Sequence, residues 1–121
     1  MAYKVDFSEQ AADDLSGIII YITEELCNPQ AAVQFYTAVD EKRGLLREYP
    51  YIFPLYHDEK LGAEGIRSVV VGNFLMFYVV DDEKSVVSIV RILYGRRDIP
   101  SVFEEKGENL NELYRHKRRR F

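Results

Sequence analysis

Between residues 65 and 94 the chain runs through three short segments that leave little choice but β-strand. They are Gly65-Ile66-Arg67-Ser68-Val69-Val70-Val71, then Phe74-Leu75-Met76-Phe77-Tyr78-Val79-Val80, then Val86-Val87-Ser88-Ile89-Val90-Arg91-Ile92-Leu93-Tyr94. β-Branched and aromatic side chains fill all three, and these suit a pleated, half-buried surface. Gly72-Asn73 divides the first two and provides the positive φ of a tight hairpin. Asp81-Asp82-Glu83-Lys84 divides the second from the third and is too polar to bury. The spacing predicts an antiparallel meander ending in a basic corner, Gly95-Arg96-Arg97-Asp98.

The preceding residues supply one more strand and two helices. Tyr3, Val5 and Phe7 alternate with Lys4 and Asp6, which predicts a first strand with one buried face. Ser8 is placed to cap a helix, and Glu9 favours its positive end. Ala11, Leu15, Ile18, Ile19, Ile22 and Leu26 then recur at helical spacing. Asn28-Pro29 signals a second start, with Asn as the cap and Pro in the first turn. Ala32, Phe35, Tyr36, Val39, Leu46 and Tyr49 give the second helix an apolar face that ends before Pro50. So short a connection predicts an antiparallel helical hairpin. Residues 51–64 read as an irregular loop.

This order predicts an α+β fold, β-α-α-β-β-β: a four-stranded antiparallel sheet with the N-terminal helical hairpin packed on one face. The division expected is a domain over residues 1–100 and, over 101–121, a helical segment with a basic tail. Ser101 is expected to cap a short helix through residue 106, and Leu110, Leu113 and Tyr114 to make a last turn or two. The final strand is apolar on both sides, with Val86, Val90 and Ile92 expected on one and Val87, Ile89 and Leu93 on the other. One face of a two-layer domain then needs a cover, from the C-terminal segment or from another protein.

A length of 121 residues suits one domain with a single core. A single cysteine, Cys27, rules out an internal disulfide framework and fits a reducing cytoplasm. At a helix end with no histidine nearby, it reads as a small buried apolar group rather than a nucleophile. No apolar run approaches a membrane span, and the first residues lack the apolar core of a signal peptide. The net charge of −4 hides an asymmetry. Arg115, Lys117, Arg118, Arg119 and Arg120 hold five of the 16 basic residues, leaving 11 against 20 acidic ones elsewhere, a net of −9. Such a body is a poor match to a polyanion, so nucleic-acid contact would have to use local basic patches. The tail 115–120 itself reads as a nucleic-acid or ribosome contact, as a solvated end, or as a segment folded back on the acidic helices.

Several stretches together resemble the RelE/ParE toxin superfamily. They are Tyr3-Lys4-Val5-Asp6-Phe7-Ser8 with Ala11-Ala12-Asp13-Asp14-Leu15, Tyr21-Ile22 before Asn28-Pro29-Gln30-Ala31-Ala32, Gly65-Ile66-Arg67-Ser68, Gly72-Asn73-Phe74-Leu75-Met76-Phe77-Tyr78, and Val90-Arg91-Ile92-Leu93-Tyr94-Gly95-Arg96-Arg97-Asp98. The likeness covers residues 3 to 100. It implies the fold above and a small toxin of a type II toxin–antitoxin (plasmid stabilisation) pair, neutralised by direct binding of a cognate antitoxin. Within the superfamily, RelE-like members cut messenger RNA on the ribosome, as mRNA interferases. ParE-like members inhibit DNA gyrase. Gly-Asn-Phe at the hairpin and Gly-Arg-Arg-Asp after the last strand look closer to ParE.

Metal-free RNA cleavage needs a base for the ribose 2′-hydroxyl, cations for the developing phosphorane and an acid for the leaving oxygen. RelE-like enzymes resemble one another in basic residues on the sheet and a tyrosine after the last strand. Laid onto this chain, those positions fall on Arg97, near Leu75 and near Phe103; Leu75 has no charge and Phe103 no hydroxyl. A nuclease would have to use Arg67, Arg96, Arg97 and Tyr94. For target binding the expected residues are Arg91, Arg96, Arg97 and Asp98, because paired guanidiniums at a turn grip phosphate or an acidic surface. Alternatively, Arg97 pairs with a nearby acid and pins the turn, and Arg91 pairs with a helix carboxylate. The antitoxin is expected on Val87, Ile89, Leu93 and Phe103. His57, beside Asp58 and Glu59, lacks a third ligand and reads as a solvated loop residue. No cofactor or metal set is indicated. Three readings stay open: a gyrase-directed toxin, a ribosome-dependent endoribonuclease, and an inactive homologue that serves as a binding module.

Overall fold

The computed structural model describes residues 2–104 and the backbone of Arg118–Arg119. Strand β1 (Lys4–Ser8) leads directly into α1 (Glu9–Ile20), whose Ser8 cap accepts the Ala11 N–H at 3.0 Å. A π-helical turn, Tyr21–Glu25, widens the end of α1, and the chain reverses through Cys27 at φ 50. Helix α2 (Pro29–Glu48) starts on the Asn28 cap with Pro29 in its first turn. The segment expected to be irregular contains a short helix, α3 (Glu59–Ala63), started by Asp58, which accepts the Leu61 N–H at 3.0 Å. Strands β2 (Arg67–Val71), β3 (Phe74–Asp81) and β4 (Val86–Tyr94) form the meander.

The sheet is mixed, not purely antiparallel. β1 lies parallel to β4, with Lys4 beside Val86 and Phe7 beside Ile89, while β2–β3 and β3–β4 are antiparallel. The reason is the intervening chain: α1 and α2 form an antiparallel pair, and a whole meander separates the two strands, so nothing forces a hairpin-like reversal. The backbone of Arg118–Arg119 adds a two-residue strand, β5, to the outer edge of β1, giving the order β2-β3-β4-β1-β5. That part of the basic tail lies against the sheet; the expected turn at Leu110, Leu113 and Tyr114 lies outside the described residues.

A β-bulge changes which side chains share a face. The β3–β4 register shifts between Phe77 and Tyr78, so Val90 becomes an extra residue in β4. Val87, Ile89 and Ile92 therefore join Phe7, Leu15, Ile18, Phe35, Met76 and Tyr78 in the core under the helical hairpin. Val90 and Leu93 face the other way. The expected grouping of Ile92 with Val90 fails because period-2 counting cannot cross a bulge.

The second face is not bare. Helix α4 (Ile99–Glu104) and α3 close over it, and Ile99, Val102 and Phe103 pack with Leu61, Ile66, Phe77, Val79, Val90 and Leu93. Phe77 meets Tyr56 and Phe103 edge-on, at centroid distances of 5.1 and 5.4 Å. Helix α4 begins before Ser101 rather than on it. Asp98 starts it, accepting the Val102 N–H through its carbonyl at 3.2 Å and the Ser101 hydroxyl through its carboxylate at 2.8 Å, and Pro100 falls in the tolerant first turn. Cys27 is exposed rather than buried, with its thiol donating to the Glu24 carbonyl at 3.4 Å. No helix among the described residues is long and apolar enough to cross a membrane.

Candidate functional site

β1 stops short. Its pairing with β4 reaches only Phe7 and Ile89, whereas β4 runs on to Tyr94. Where β1 ends, α1 takes over the edge of β4. The Ser8 hydroxyl donates to the Val90 carbonyl at 2.9 Å, which ties the bulge to the start of α1. Six residues further on, Asp14 accepts Arg91 Nε and Nη2 at 2.8 and 3.1 Å and the Ile92 N–H at 2.9 Å.

Past this tether a groove opens between the end of α1, the π-helical turn and the far ends of β3 and β4. It encloses about 870 Å³. Gly17, Ile18, Tyr21, Ile22 and Leu26 form one wall; Phe74, Ile92, Leu93 and Tyr94 form the other; Asn73 and Arg97 stand at the rim. Tyr21 and Leu26 are 51% and 54% exposed, which is a large apolar display for residues bordering a groove. The Phe35 and Tyr94 rings hold Phe74 from two sides, at 5.3 and 5.9 Å.

The basic corner lies at the same end. The Gly95 N–H donates to the Asn73 carbonyl at 2.9 Å and the Arg97 N–H to the Tyr94 carbonyl at 3.1 Å, so the backbone there is fixed. A β-carbon at Gly95 would come to 3.3 Å from the Asn73 carbonyl, a tight approach that glycine avoids. The side chains of Arg96 and Arg97 are exposed and make no ion pair or hydrogen bond among the described residues.

Other expected site residues are committed elsewhere. Of the two readings of Arg91, target contact and pairing with a helix carboxylate, the second is the one present: Asp14 holds it, with only 11% and 16% of the two side chains exposed. Asp98 is engaged at the start of α4. Val87, Ile89, Leu93 and Phe103, expected to await an antitoxin, are 0–7% exposed and form the chain's own cores. A partner would reach Leu93 and Phe103 from that side only by displacing α4. Arg67 lies at the end of β2 away from the hairpin, paired in register with Tyr78 in the middle of β3. Its Nη1 donates to the Phe53 carbonyl at 2.8 Å and its guanidinium stacks 4.8 Å from the Tyr51 ring centre. His57 is exposed and stacks on Tyr56 at 4.3 Å.

Among the described residues no group of three or more His, Cys, Asp or Glu could hold a metal ion. The second notable polar cluster is at the Arg67 end. Asp82, in the β3–β4 turn, accepts hydrogen bonds from the Tyr3 and Tyr51 hydroxyls at 2.8 and 2.5 Å. The hydrogen bond to Asp82, with lesser help from burial and the carboxylate charge, pushes the Tyr51 phenol up to about 12. The same bonds, that from Tyr51 foremost, hold the Asp82 carboxyl below its ordinary value. The groove itself was not anticipated from sequence. Its traces there are the Asp13-Asp14 pair off the apolar stripe of α1 and an arginine inside an apolar strand.

Comparison with known proteins agrees with this architecture. The fold is shared with a chain of the chromosomal ParDE toxin–antitoxin system of P. aeruginosa (TM-score 0.60, 18% identity, 77% of this chain and 96% of that one). It is shared too with the RelBE2 toxin–antitoxin complex of Mycobacterium tuberculosis (TM-score 0.55, 23% identity, 78% and 99%) and with the isolated RelE toxin of E. coli (0.54, 19%, 88% and 100%). No curated protein sequence matches the chain. Residues 5–99 match the family described as the ParE toxin of the type II toxin–antitoxin system parDE. That span holds the helical hairpin, the mixed sheet and the groove, and it places the chain in the ParE family of type II toxins, within the RelE/ParE superfamily.

Proposed function

We propose that this toxin arrests growth in the cytoplasm by gripping DNA gyrase through protein–protein contact, with Arg96 and Arg97 as the gripping residues, and that it does not cut RNA. The observation that carries this reading is the separation of the basic residues. Arg67 lies level with Tyr78 on β3, whereas Arg97 follows Tyr94, which lies level with Phe74. Four residues of strand put them roughly 13 Å apart or more. Arg67 is also already committed to Phe53 and Tyr51. A cleavage site needs its base, acid and cations around one phosphate. Leu75 and Phe103 bring neither charge nor hydroxyl, and Phe103 is packed on Phe77.

The antitoxin is proposed to sit in the groove beside the corner, which offers an apolar seat that the buried faces of the sheet do not. Tyr94 shares that groove with Arg97, and the alternative reading, a ribosome-dependent endoribonuclease, rests on that phenol. A supercoiling assay with purified gyrase, run beside a transcript-cleavage assay on programmed ribosomes, separates the two. Wild type is expected to stall supercoiling and leave the transcript whole. R96A/R97A is expected to fold normally and to raise the concentration needed for inhibition at least tenfold. Site-specific cleavage of the transcript overturns the reading. If induction in cells leaves growth normal, the chain is an inactive homologue.

A further inference from the structure

Beside the two arginines of the corner runs an apolar strip that the chain leaves open at one end. Val70, Leu75 and Leu93 sit level across β2, β3 and β4, on the face that α3 and α4 cover. Leu93 is buried under that cover and Leu75 is half-buried against it, but Val70 is 62% exposed. A β-carbon on Gly95 would lie 3.9 Å from Leu75 Cγ, so the strip runs into the residue before Arg96. Three neighbouring strands make it about 10 Å wide. Phe74 and Ile92, which line the groove, face the other side of the sheet. We propose that this edge is the second half of the target contact: an extended, acidic segment of the target protein adds to β2 alongside Val70, lays an apolar side chain on Val70 and Leu75, and sets a carboxylate on Arg96 or Arg97. The inference rests on the reading of Arg96 and Arg97 as the target contact, and it names the form of what they grip.

Backbone geometry makes the occupant a polypeptide. Along β2 the even-numbered residues turn their peptide groups outwards. The Ser68 N–H donates to the Pro54 carbonyl at 3.3 Å, and the Ile66 carbonyl accepts the Tyr56 N–H at 2.8 Å. Val70 is next in that alternation, and no described residue pairs with its N–H or its carbonyl. From Ser68 to Val80 the hairpin holds no charged residue, so β2 lacks the lysines that commonly keep an exposed edge from pairing. An open rung of this kind accepts an added strand. A nucleic acid has no strand backbone to offer there, and the side chains of Val70 and Leu75 give a phosphate no donor. A second copy fits poorly, because Pro54 already occupies Ser68 and leaves two symmetric β2 edges only the Val70 rung to share. The acid follows from the corner, where Arg96 and Arg97 are exposed and make no ion pair among the described residues.

Two variants of the full chain test the edge. V70P removes the outward N–H and no rung of the β2–β3 ladder, and proline is tolerated on a strand edge of this kind. V70T keeps the branched shape and the strand preference but exchanges a methyl for a hydroxyl. Both are expected to melt close to wild type. In the supercoiling assay the concentration needed for inhibition is expected to rise roughly tenfold with V70P, which loses a hydrogen bond and the apolar contact, and about threefold with V70T. Antitoxin affinity is expected to stay within about twofold of wild type in both, since neither touches the groove. V70P and V70T that inhibit as wild type does, while R96A/R97A does not, overturn the inference and leave the corner as a contact on its own. V70P that loses antitoxin affinity as strongly as inhibition assigns the edge to the antitoxin and overturns it. A wild type that is dimeric with V70P monomeric overturns it in favour of a second copy. Binding of a DNA or RNA duplex that V70P weakens overturns it in favour of nucleic acid. If wild type leaves gyrase untouched, the gyrase reading fails, and growth arrest in cells then decides the edge: weakened arrest by V70P upholds it and full arrest overturns it.

Discussion

Asp14 holds Arg91 with both carboxylate oxygens while one of them also takes the Ile92 N–H. This single side chain joins α1 to β4 just past the bulge and sets the inner end of the groove. Asp14→Asn keeps the shape and removes the charge, leaving a mostly buried guanidinium without its counter-ion. The expected cost is about 2 kcal/mol, below the full penalty of a buried pair because some of both groups still meets water. Arg91→Met is expected to cost less, since it removes the buried guanidinium itself and leaves Asp14 accepting the Ile92 N–H. Urea unfolding of the two variants checks the order; a cost for Arg91→Met equal to or above that of Asp14→Asn would overturn it.

Two glycines of opposite character give a second test. Gly17, in the middle of α1, has nothing within 4 Å of an added β-carbon, so Gly17→Ala gains helix propensity and is expected to stabilise by about 0.5–1 kcal/mol. Gly62, in α3, would bring a β-carbon to 2.9 Å from the Tyr56 carbonyl. Gly62→Ala is therefore expected to lower the melting temperature, although it too replaces glycine in a helix. Thermal melts of the pair separate propensity from packing.

The Tyr3–Asp82–Tyr51 cluster predicts two pH limits. The fold holds the Tyr51 proton more tightly than the unfolded chain does, with the phenol at about 12 against an ordinary 10.0. Its contribution is complete below pH 10 and is lost as pH rises from about 10 to 12. Asp82 behaves oppositely: its carboxyl is held below 3.8, so its contribution is present above that value and is lost as pH falls through the folded-state value. Melts between pH 8 and 12 are expected to show a shallower alkaline decline in Tyr3→Phe/Tyr51→Phe than in wild type. Parallel declines would refute the assignment.

Local signals in the sequence were faithful where chemistry is local. Ser8 and the Asn28-Pro29 pair mark the helix starts they were expected to mark, and Gly72 turns the β2–β3 hairpin at φ 59. Asp58 also starts a helix, but one of five residues, which carries too little periodicity to predict; the short helix expected from Ser101 is present, started three residues earlier by Asp98. The direction of β1 was illegible because a parallel neighbour and an antiparallel one bury the same alternate residues. The bulge at Val90 was illegible for a related reason: with apolar residues on both faces of β4, no polar residue betrays the slip. The groove escaped notice because it is made by an early stop in β1, and an edge left open has no residue signature of its own. Arg91 shows the limit for function. An arginine inside an apolar strand points to a helix carboxylate more than to a target, but only the position of Asp14 names the carboxylate.

The parallel seat of β1 beside β4 also orders events during synthesis. Lys4 and Val86, its neighbour in the sheet, are 82 positions apart, so Lys4 leaves the ribosome well before its partner is made. Until then the opening strand has no ladder on that side to join, and α1 has no β4 against which to lay Asp14. The sheet, and the Asp14 tether with it, can therefore close only after β4 has been made.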